Sequence, residues 1–167
     1  LVYLFMRGRS GDETLILQPT APHLYQFVTY QLLHQGPHHL FGNMLFLYVF
    51  GNSVEDRLGK VGYGAFYLAG GIIAGLGHAL VEPNPVLGAS GAVAAVSGAY
   101  LALFPKSIVT LFYWFFFVGF FELSSMILIL FQMAQDAVMF IANHGGVAYL
   151  AHLSGYGYGF LIGMGLL

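Results

Sequence analysis

The sequence predicts an all-α polytopic membrane protein, a bundle of five full transmembrane helices preceded by the tail of a truncated first helix. The first observation is composition: 58% of the 167 residues are hydrophobic and 7% are charged, whereas an ordinary soluble domain has about 25% charged residues. The second is a series of apolar segments of about 20 residues, the length that crosses a bilayer. The third is the recurrence of small residues at helical spacing, which lets helix backbones approach closely in lipid.

The predicted elements follow from the distribution of apolar and polar residues along the chain. Residues 1–6 are apolar but too short to span a membrane, so we expect the end of a helix there. Residues 7–37 are mixed in character and form the first loop, in which we expect short helices at the membrane interface. The predicted membrane helices are residues 39–54, 61–81, 88–104, 108–138 and 147–167.

Charged residues indicate how the bundle is oriented. Helices of alternating direction place the connections 52–60 and 105–107 at one end of the bundle. The basic residues in these two connections are Arg57, Lys60 and Lys106. The connections 82–87 and 139–146, at the other end, contain no Lys or Arg. The positive-inside rule therefore predicts that the first pair of connections is cytoplasmic.

The segment 88–104 organises the predicted bundle. Its small residues recur every three or four positions, at Gly91, Ala95, Gly98 and Ala102. Ser90 lies in the first turn of this segment, toward the outer side of the membrane. Ser90 is either a small polar residue that hydrogen-bonds a neighbouring backbone or a nucleophile, which requires a nearby general base and donors for an oxyanion.

His152 is the candidate base. It precedes a run in which Gly155, Gly159 and Gly163 recur at every fourth position. Because His152 lies three residues before Gly155, its imidazole shares the glycine face of the helix. A histidine in this place is either a hydrogen-bonded packing residue or a functional one. The small-residue faces of the two segments are compatible with a hydrogen bond between Ser90 and His152.

His39 and Asn43 are four residues apart, so they project from one face at the outer end of the first predicted membrane helix. Together with the Ser90 backbone N–H, these side chains could hold a developing oxyanion; alternatively, they cap the helix or bind a neighbouring loop. A metal site formed by His34, His38 and His39 is disfavoured, because neither a His-Glu-x-x-His motif nor a supporting carboxylate accompanies them.

Other chemistries are less compatible with the sequence. The absence of cysteine excludes a thiolate nucleophile and Cys-based zinc sites. The sequence Gly-Ala-Ser-Gly-Ala is not the Gly-x-Ser-x-Gly nucleophile elbow. A membrane aspartyl protease needs two intramembrane aspartates, and Asp136 is alone; Glu122 lacks the basic partner that an ion path would need. The net charge of −2 gives no reason to expect a nucleic-acid partner.

Three motifs in combination resemble those of the rhomboid intramembrane serine proteases. They are His34-x-x-x-x-His39-x-x-x-Asn43, Gly88-Ala89-Ser90-Gly91 and Ala151-His152-x-x-Gly155-x-x-x-Gly159-x-x-x-Gly163. The resemblance covers nearly the whole chain and implies that Ser90 is the nucleophile and His152 its base, in a two-residue dyad. It also implies that His39 and Asn43 form the oxyanion hole. The glycines that support the motifs are Gly88, Gly91, Gly155 and Gly159.

The function that this resemblance implies is an endopeptidase that cleaves transmembrane segments of membrane proteins, without metal or cofactor. Its partners would be transmembrane protein substrates and the lipid bilayer, and not nucleic acid. We expect a multi-pass protein of the plasma (inner) membrane with its active site toward the outer face. By the same resemblance, residues 108–138 would form the helix that gates substrate entry and residues 139–146 the loop that caps the site. The alternative is a non-catalytic rhomboid-like protein that binds transmembrane clients; a transporter or channel ranks third.

The sequence departs from the family pattern in two places. The family core has six helices, and here residues 1–6 alone represent the first, which predicts a fragment. Many members carry an aromatic residue four places after the serine, packed under the histidine, whereas this chain has Ala94 there. We therefore expect that another side chain orients His152, or that the dyad is held less well.

Overall fold

Helices form most of the described chain, which in this computed structural model comprises residues 4–5, 14–113, 118–142 and 146–167. The helices are α1 (Gln26–Thr29), α2 (Pro37–Phe46), α3 (Asn52–Ala79), α4 (Ser90–Leu103), α5 (Ser125–Ile141) and α6 (Tyr149–Gly165). A 3₁₀ turn at Tyr30–Leu32 follows α1, and a π-helical turn at Leu47–Gly51 joins α2 to α3. The strands are β1 (Leu4–Phe5), parallel to β2 (Leu33–His34), and β3 (Ile108–Tyr113), antiparallel to β4 (Gly119–Ser124).

Helix α4 lies at the centre of the bundle. Its residues from Gly91 to Leu103 are all buried. The helix contains no charged residue and consists mostly of Ala, Gly, Val and Leu, so other elements can surround it without burying charge. Its buried Ser97 is satisfied locally, because the hydroxyl donates to the Val93 carbonyl at 3.0 Å. The segment predicted to organise the chain therefore forms its core.

The backbones of α4 and α6 approach closely along a seam of small residues. A methyl group added at Gly155 would collide with the carbonyl oxygen of Gly91. A methyl group added at Gly159 would collide with the carbonyl oxygen of Ala95. The predicted contact between the two small-residue faces is therefore confirmed, and its consequence is that the first turns of α4 and α6 lie side by side.

The first two predicted membrane helices, residues 39–54 and 61–81, are two helices that meet at a kink at Gly59, inside the residues labelled α3. Helix α2 passes through the π-helical turn into α3. The loop predicted at residues 52–60 is wrong, because these residues are helical except at Gly59, where φ is 71° and ψ is 162°. A single glycine with positive φ is sufficient to redirect the chain at this point.

The helix predicted over residues 108–138 is wrong in its first half. Strands β3 and β4 form an antiparallel hairpin there, in which Ile108 lies opposite Ser124, and the helix that follows continues to Ile141. Aromatic and β-branched residues are frequent in both strands and favour extended backbone. A continuous apolar run does not distinguish strand from helix by its periodicity. The fold is therefore mostly helical and not all-α.

Of the first loop, predicted over residues 7–37, residues 7–13 lie outside the described residues, and residues 14–37 pack against the bundle. Buried Tyr30 donates its hydroxyl proton to the Gly71 carbonyl at 2.6 Å. Leu17 and Val86 exchange two backbone hydrogen bonds of 3.1 Å. These contacts attach the loop to α3 and to the segment that precedes Ser90.

Residues 1–6, predicted as a helix end, are described at Leu4–Phe5 alone. These two residues pair with Leu33–His34 as a strand, so the helical prediction is wrong at this point. Residues 143–145 of the predicted capping loop lie outside the described residues.

The two basic connections lie at the same end of the bundle. The guanidinium carbon of Arg57 is 5.7 Å from the ring centroid of Phe104, which directly follows α4. Ser90 lies at the opposite end of α4. Among the helices described here, none is both long enough and apolar enough to cross a membrane.

Candidate active site

Ser90 begins α4 directly after a constrained turn. Gly88 has a φ of 128°, and its N–H donates to the Tyr30 carbonyl at 2.9 Å. A methyl group at Gly88 would lie 2.6 Å from the His39 ring. Glycine is therefore required there both for its conformation and for space. As the first residue of α4, Ser90 has a backbone N–H without an acceptor inside the helix, at the positive end of the helix dipole.

The Ser90 hydroxyl contacts the His152 imidazole directly. Ser90 Oγ and His152 Nε2 are 2.8 Å apart. His152 lies in the first turn of α6, which the glycine seam brings against the start of α4. A hydroxyl that donates to a neutral imidazole is positioned for activation as a nucleophile. The structure thus brings together the two residues that the sequence motifs single out.

Asp136 contacts the other nitrogen of the same imidazole. Its Oδ2 is 3.1 Å from His152 Nδ1, and the Asp136 side chain is only 3% exposed. The sequence interpretation considered Asp136 as a lone aspartate and missed this contact. One signal was present: a carboxylate in an apolar helix needs a partner, and His152 was a candidate.

His39 faces the site from the first turn of α2. Its Nδ1 accepts a hydrogen bond from the Gln35 backbone N–H at 3.4 Å, so the neutral ring carries its proton on Nε2. The ring lies against Gly88 and lines the same cavities as Ser90 and His152. Its Nε2–H can therefore stabilise negative charge that develops beside Ser90.

Asn43 lies one helical turn after His39 and is buried. Its Nδ2 donates to the His39 carbonyl at 3.0 Å. An amide nitrogen carries two hydrogens, so this bond orients the side chain and leaves a second donor. Asn43 lines a cavity together with Ser90 and His152, so its side chain borders the space next to the reactive pair.

Two cavities meet at the Ser90–His152 pair. The larger, of about 570 Å³, is lined by residues 84–87 and 146–150 among others. The smaller, of about 230 Å³, lies between α2, α4, α5 and α6. His39 lines both cavities with the pair. The reactive groups therefore border two cavities, and the larger of these has the volume that proteins use for ligands.

The histidines of the first motif pack against one another. The rings of His34 and His39 meet edge to face, with centroids 5.1 Å apart. His34 is buried, and neither of its ring nitrogens has a hydrogen-bond partner among the described residues. Burial lowers the pKa of His34, so its ring is neutral near pH 7. In the described part of the chain, no three His, Cys, Asp or Glu side chains are grouped so that they could hold a metal ion.

The remaining glycines of the motifs set distances between helices. A methyl group at Gly91 would lie 2.5 Å from the Ala74 side chain on α3. Gly155 and Gly159 face the backbone of α4. These three residues therefore position Ser90 and His152 by allowing α3, α4 and α6 to approach closely.

Comparisons with known proteins reveal relatives of this chain. The family model described as the Rhomboid domain matches residues 21–167. The chain is 42% identical over 85 residues to Rhomboid-like protein 11, chloroplastic, of Arabidopsis thaliana. It is 35% identical over 77 residues to Rhomboid-related protein 2 of Mus musculus. It is 31% identical over 142 residues to YdcA of Bacillus subtilis (strain 168), a protein named as a candidate rhomboid protease.

These matches cover different shares of each chain. For the Arabidopsis, mouse and Bacillus proteins in turn, the matched residues make up 50%, 46% and 83% of this chain. The same matches cover 30%, 26% and 65% of the length of those three relatives. This chain therefore spans less than two thirds of each of these relatives.

Proposed function

Because the chain belongs to the rhomboid family, we propose that it is an intramembrane serine endopeptidase that cleaves transmembrane segments through Ser90 and His152. Rhomboid proteins are membrane proteins, and the family includes serine proteases. The observation that carries the proposal is the 2.8 Å contact between Ser90 Oγ and His152 Nε2. Ser97, on the same helix, bonds instead to a backbone carbonyl, as a serine with a packing role does.

The proposed reaction proceeds through an acyl-enzyme. Ser90 Oγ attacks the carbonyl carbon of the scissile peptide while its proton passes to His152 Nε2. The tetrahedral intermediate collapses, the C–N bond breaks, and His152 returns the proton to the leaving amine. His152 then deprotonates a water molecule, which attacks the ester carbonyl. The ester C–O bond breaks, and His152 returns the proton to Ser90 Oγ as the second product leaves.

Three donors are available for the oxyanion of the tetrahedral intermediates. They are the backbone N–H of Ser90, the Nε2–H of His39 and the second amide hydrogen of Asn43. Fixed donors of this kind act on charge that develops in the transition state, and each typically contributes about 100- to 1,000-fold to kcat. The positions of His39 and Asn43 on the cavity walls support this role.

The surface of the bundle supports a membrane location. Large apolar side chains are exposed on three of the helices, which is unusual for a protein surrounded by water. They include Leu68, Ile73 and Leu76 on α3, Ile127, Leu130 and Phe131 on α5, and Phe160, Leu161 and Ile162 on α6. In the proposed multi-pass orientation, the end with Arg57 and Lys106 faces the cytoplasm. The cavities at Ser90 then open toward the outer face of the plasma (inner) membrane.

The proposed substrate presents an extended peptide at Ser90. A carbonyl inside a helix is hydrogen-bonded and shielded, so the scissile segment must leave the helical conformation first. Gly, Pro and other poor helix formers near the cleaved bond make this local unwinding easier. The cavities on two sides of Ser90 provide space for side chains before and after the scissile bond.

Cleavage of a transmembrane reporter tests this proposal. The reporter is a single-span protein with a Gly-rich turn near the outer end of its helix, incubated with the purified protein in detergent micelles. We expect the parent to cut within the apolar segment and Ser90→Ala or His152→Ala to lose at least about 1,000-fold in rate. Ser97→Ala is the matched control and should retain activity, because Ser97 bonds within its own helix.

Two outcomes would contradict the proposal. A folded parent that binds the reporter without cutting it would instead be a non-catalytic family member that binds transmembrane clients. Equal cleavage by the parent and Ser90→Ala would exclude Ser90 as the nucleophile.

A further inference from the structure

We propose that Asp136 is a positioning residue for His152, so that the reactive group is an Asp136–His152–Ser90 chain and not a two-residue dyad. This inference rests on the proposed function of Ser90 and His152. It assigns a role to a carboxylate that lies outside the three sequence motifs.

The contact geometry is the first support. Asp136 Oδ2 lies 3.1 Å from Nδ1 of His152, and Ser90 Oγ lies 2.8 Å from Nε2. When Nδ1–H donates to the carboxylate, Nε2 is free to accept the Ser90 proton. In the other tautomer, the Nδ1 lone pair would face the negative carboxylate. Asp136 therefore selects the tautomer in which His152 acts as a base.

The burial of Asp136 is the second support. Its side chain is 3% exposed on α5, a helix that contains no Lys or Arg. Burying a carboxylate is costly unless it is paired and hydrogen-bonded. His152 provides that partner. The pairing strengthens when His152 takes up the Ser90 proton, because the hydrogen bond then joins two opposite charges.

The small side chain at position 94 is the third support, because it does not hold the His152 ring in place by packing. Ala94, which is 3% exposed, lines the smaller cavity together with Ser90 and His152. Its methyl group is too small to fix the ring by packing. Asp136 fixes the ring from α5, by a hydrogen bond instead of a packed side chain.

Proton movements are confined to Ser90 and His152. The Ser90 proton passes to Nε2, the Nδ1 proton stays on the ring, and no proton passes to Asp136. The other titratable groups around the pair are Tyr149 and Tyr156 on α6, His38 and His39 on α2, and His78 and Glu82 on the wall of the larger cavity. Of all these groups, Asp136 is the one that contacts the His152 imidazole with a carboxylate. Asp136 therefore supplies the negative charge that stabilises the imidazolium.

The test compares Asp136→Asn with Glu122→Gln, the same carboxylate-to-amide change at an exposed position on β4. The measured quantity is the second-order rate of labelling by a fluorophosphonate from pH 5 to pH 9, in detergent micelles. We expect Asp136→Asn to label about 10- to 100-fold more slowly at neutral pH. We expect the acid limb of its pH profile to move to lower pH, because the imidazolium loses a neighbouring negative charge. Glu122→Gln should match the parent in both respects.

A second measurement needs no substitution at Asp136. In the parent protein with ¹⁵N-labelled histidine, the His152 signals are assigned by their loss in His152→Gln. We expect the neutral ring to be protonated at Nδ1. This readout keeps the inference testable if Asp136→Asn does not fold.

The outcomes separate the two proposals. Suppose that the fluorophosphonate labels the parent and Asp136→Asn at the same rate and with the same pH profile. The proposed role of Asp136 is then wrong, and the proposed function stands. A neutral His152 ring protonated at Nε2 would also overturn that role. If the folded parent and Glu122→Gln both fail to label, the proposed function is wrong and this inference falls with it.

Discussion

The seam between α4 and α6 and the hairpin of β3 and β4 are both apolar, but they differ in how their side chains are used. Along the seam, glycines bring one helix backbone against another, as at Gly159 and Ala95. In the hairpin, large side chains are exposed, among them Ile108 and Phe120. A seam of small residues therefore fixes the distance between two backbones, whereas we expect the exposed surface of the hairpin to tolerate substitution.

The largest expected effect of a single methyl group is in the seam. Gly159→Ala places that methyl group against the Ala95 backbone, which cannot move aside as a side chain would. We expect a loss of about 3 kcal/mol or more in the free energy of unfolding, the upper part of the range for overpacking. Thermal unfolding in detergent micelles measures this loss.

Gly157→Ala is the matched control for this substitution. It lies two residues away on α6, and an added methyl group has no neighbour within 4 Å. Because alanine favours helix over glycine, we expect a gain of about 0.5–1 kcal/mol. Equal responses of the two variants would contradict the close approach of α4 and α6.

We expect a substitution at Gly88, just before the seam, to lower stability less than Gly159→Ala does and also to lower activity. Gly88→Ala must adopt a φ of 128° and displace the His39 ring. We expect a loss of about 1–3 kcal/mol in stability from the backbone alone. Displacing an oxyanion donor should lower kcat for the reporter by about 100-fold.

Gly36→Ala separates this effect from the general cost of replacing glycine. Gly36 has an extended backbone, and an added methyl group there has no neighbour within 4 Å. We expect its kcat to match that of the parent. If Gly88→Ala also retained full kcat, His39 would have no role in stabilising the oxyanion.

The smallest expected effect is in the hairpin. The Phe112 and Phe120 rings are 5.2 Å apart across the two strands, and Phe120 is 71% exposed. We expect Phe120→Ala to cost about 0.2–1 kcal/mol, the usual contribution of a cross-strand pair. A loss as large as that of Gly159→Ala in the same unfolding measurement would show that the hairpin belongs to the core.

The same difference between the seam and the hairpin decided what could be predicted from the sequence. The spacing of Gly155 and Gly159 specifies a bare helix face, so the position of His152 relative to Ser90 followed from local pattern. The hairpin did not follow, because a run of large apolar residues is compatible with either strand or helix. Asp136 was missed for a different reason: its contact with His152 depends on how α5 packs against α6, and no spacing within one segment encodes that.

Mass mapping after fluorophosphonate treatment tests the central claim, that His152 activates Ser90. The protein is folded in detergent micelles, treated with the reagent at neutral pH and digested, and its peptides are weighed. We predict a single phosphonate adduct, on Ser90, which is absent from His152→Ala. An adduct on another serine, an adduct on Ser90 that persists in His152→Ala, or no adduct in a folded parent would contradict this account.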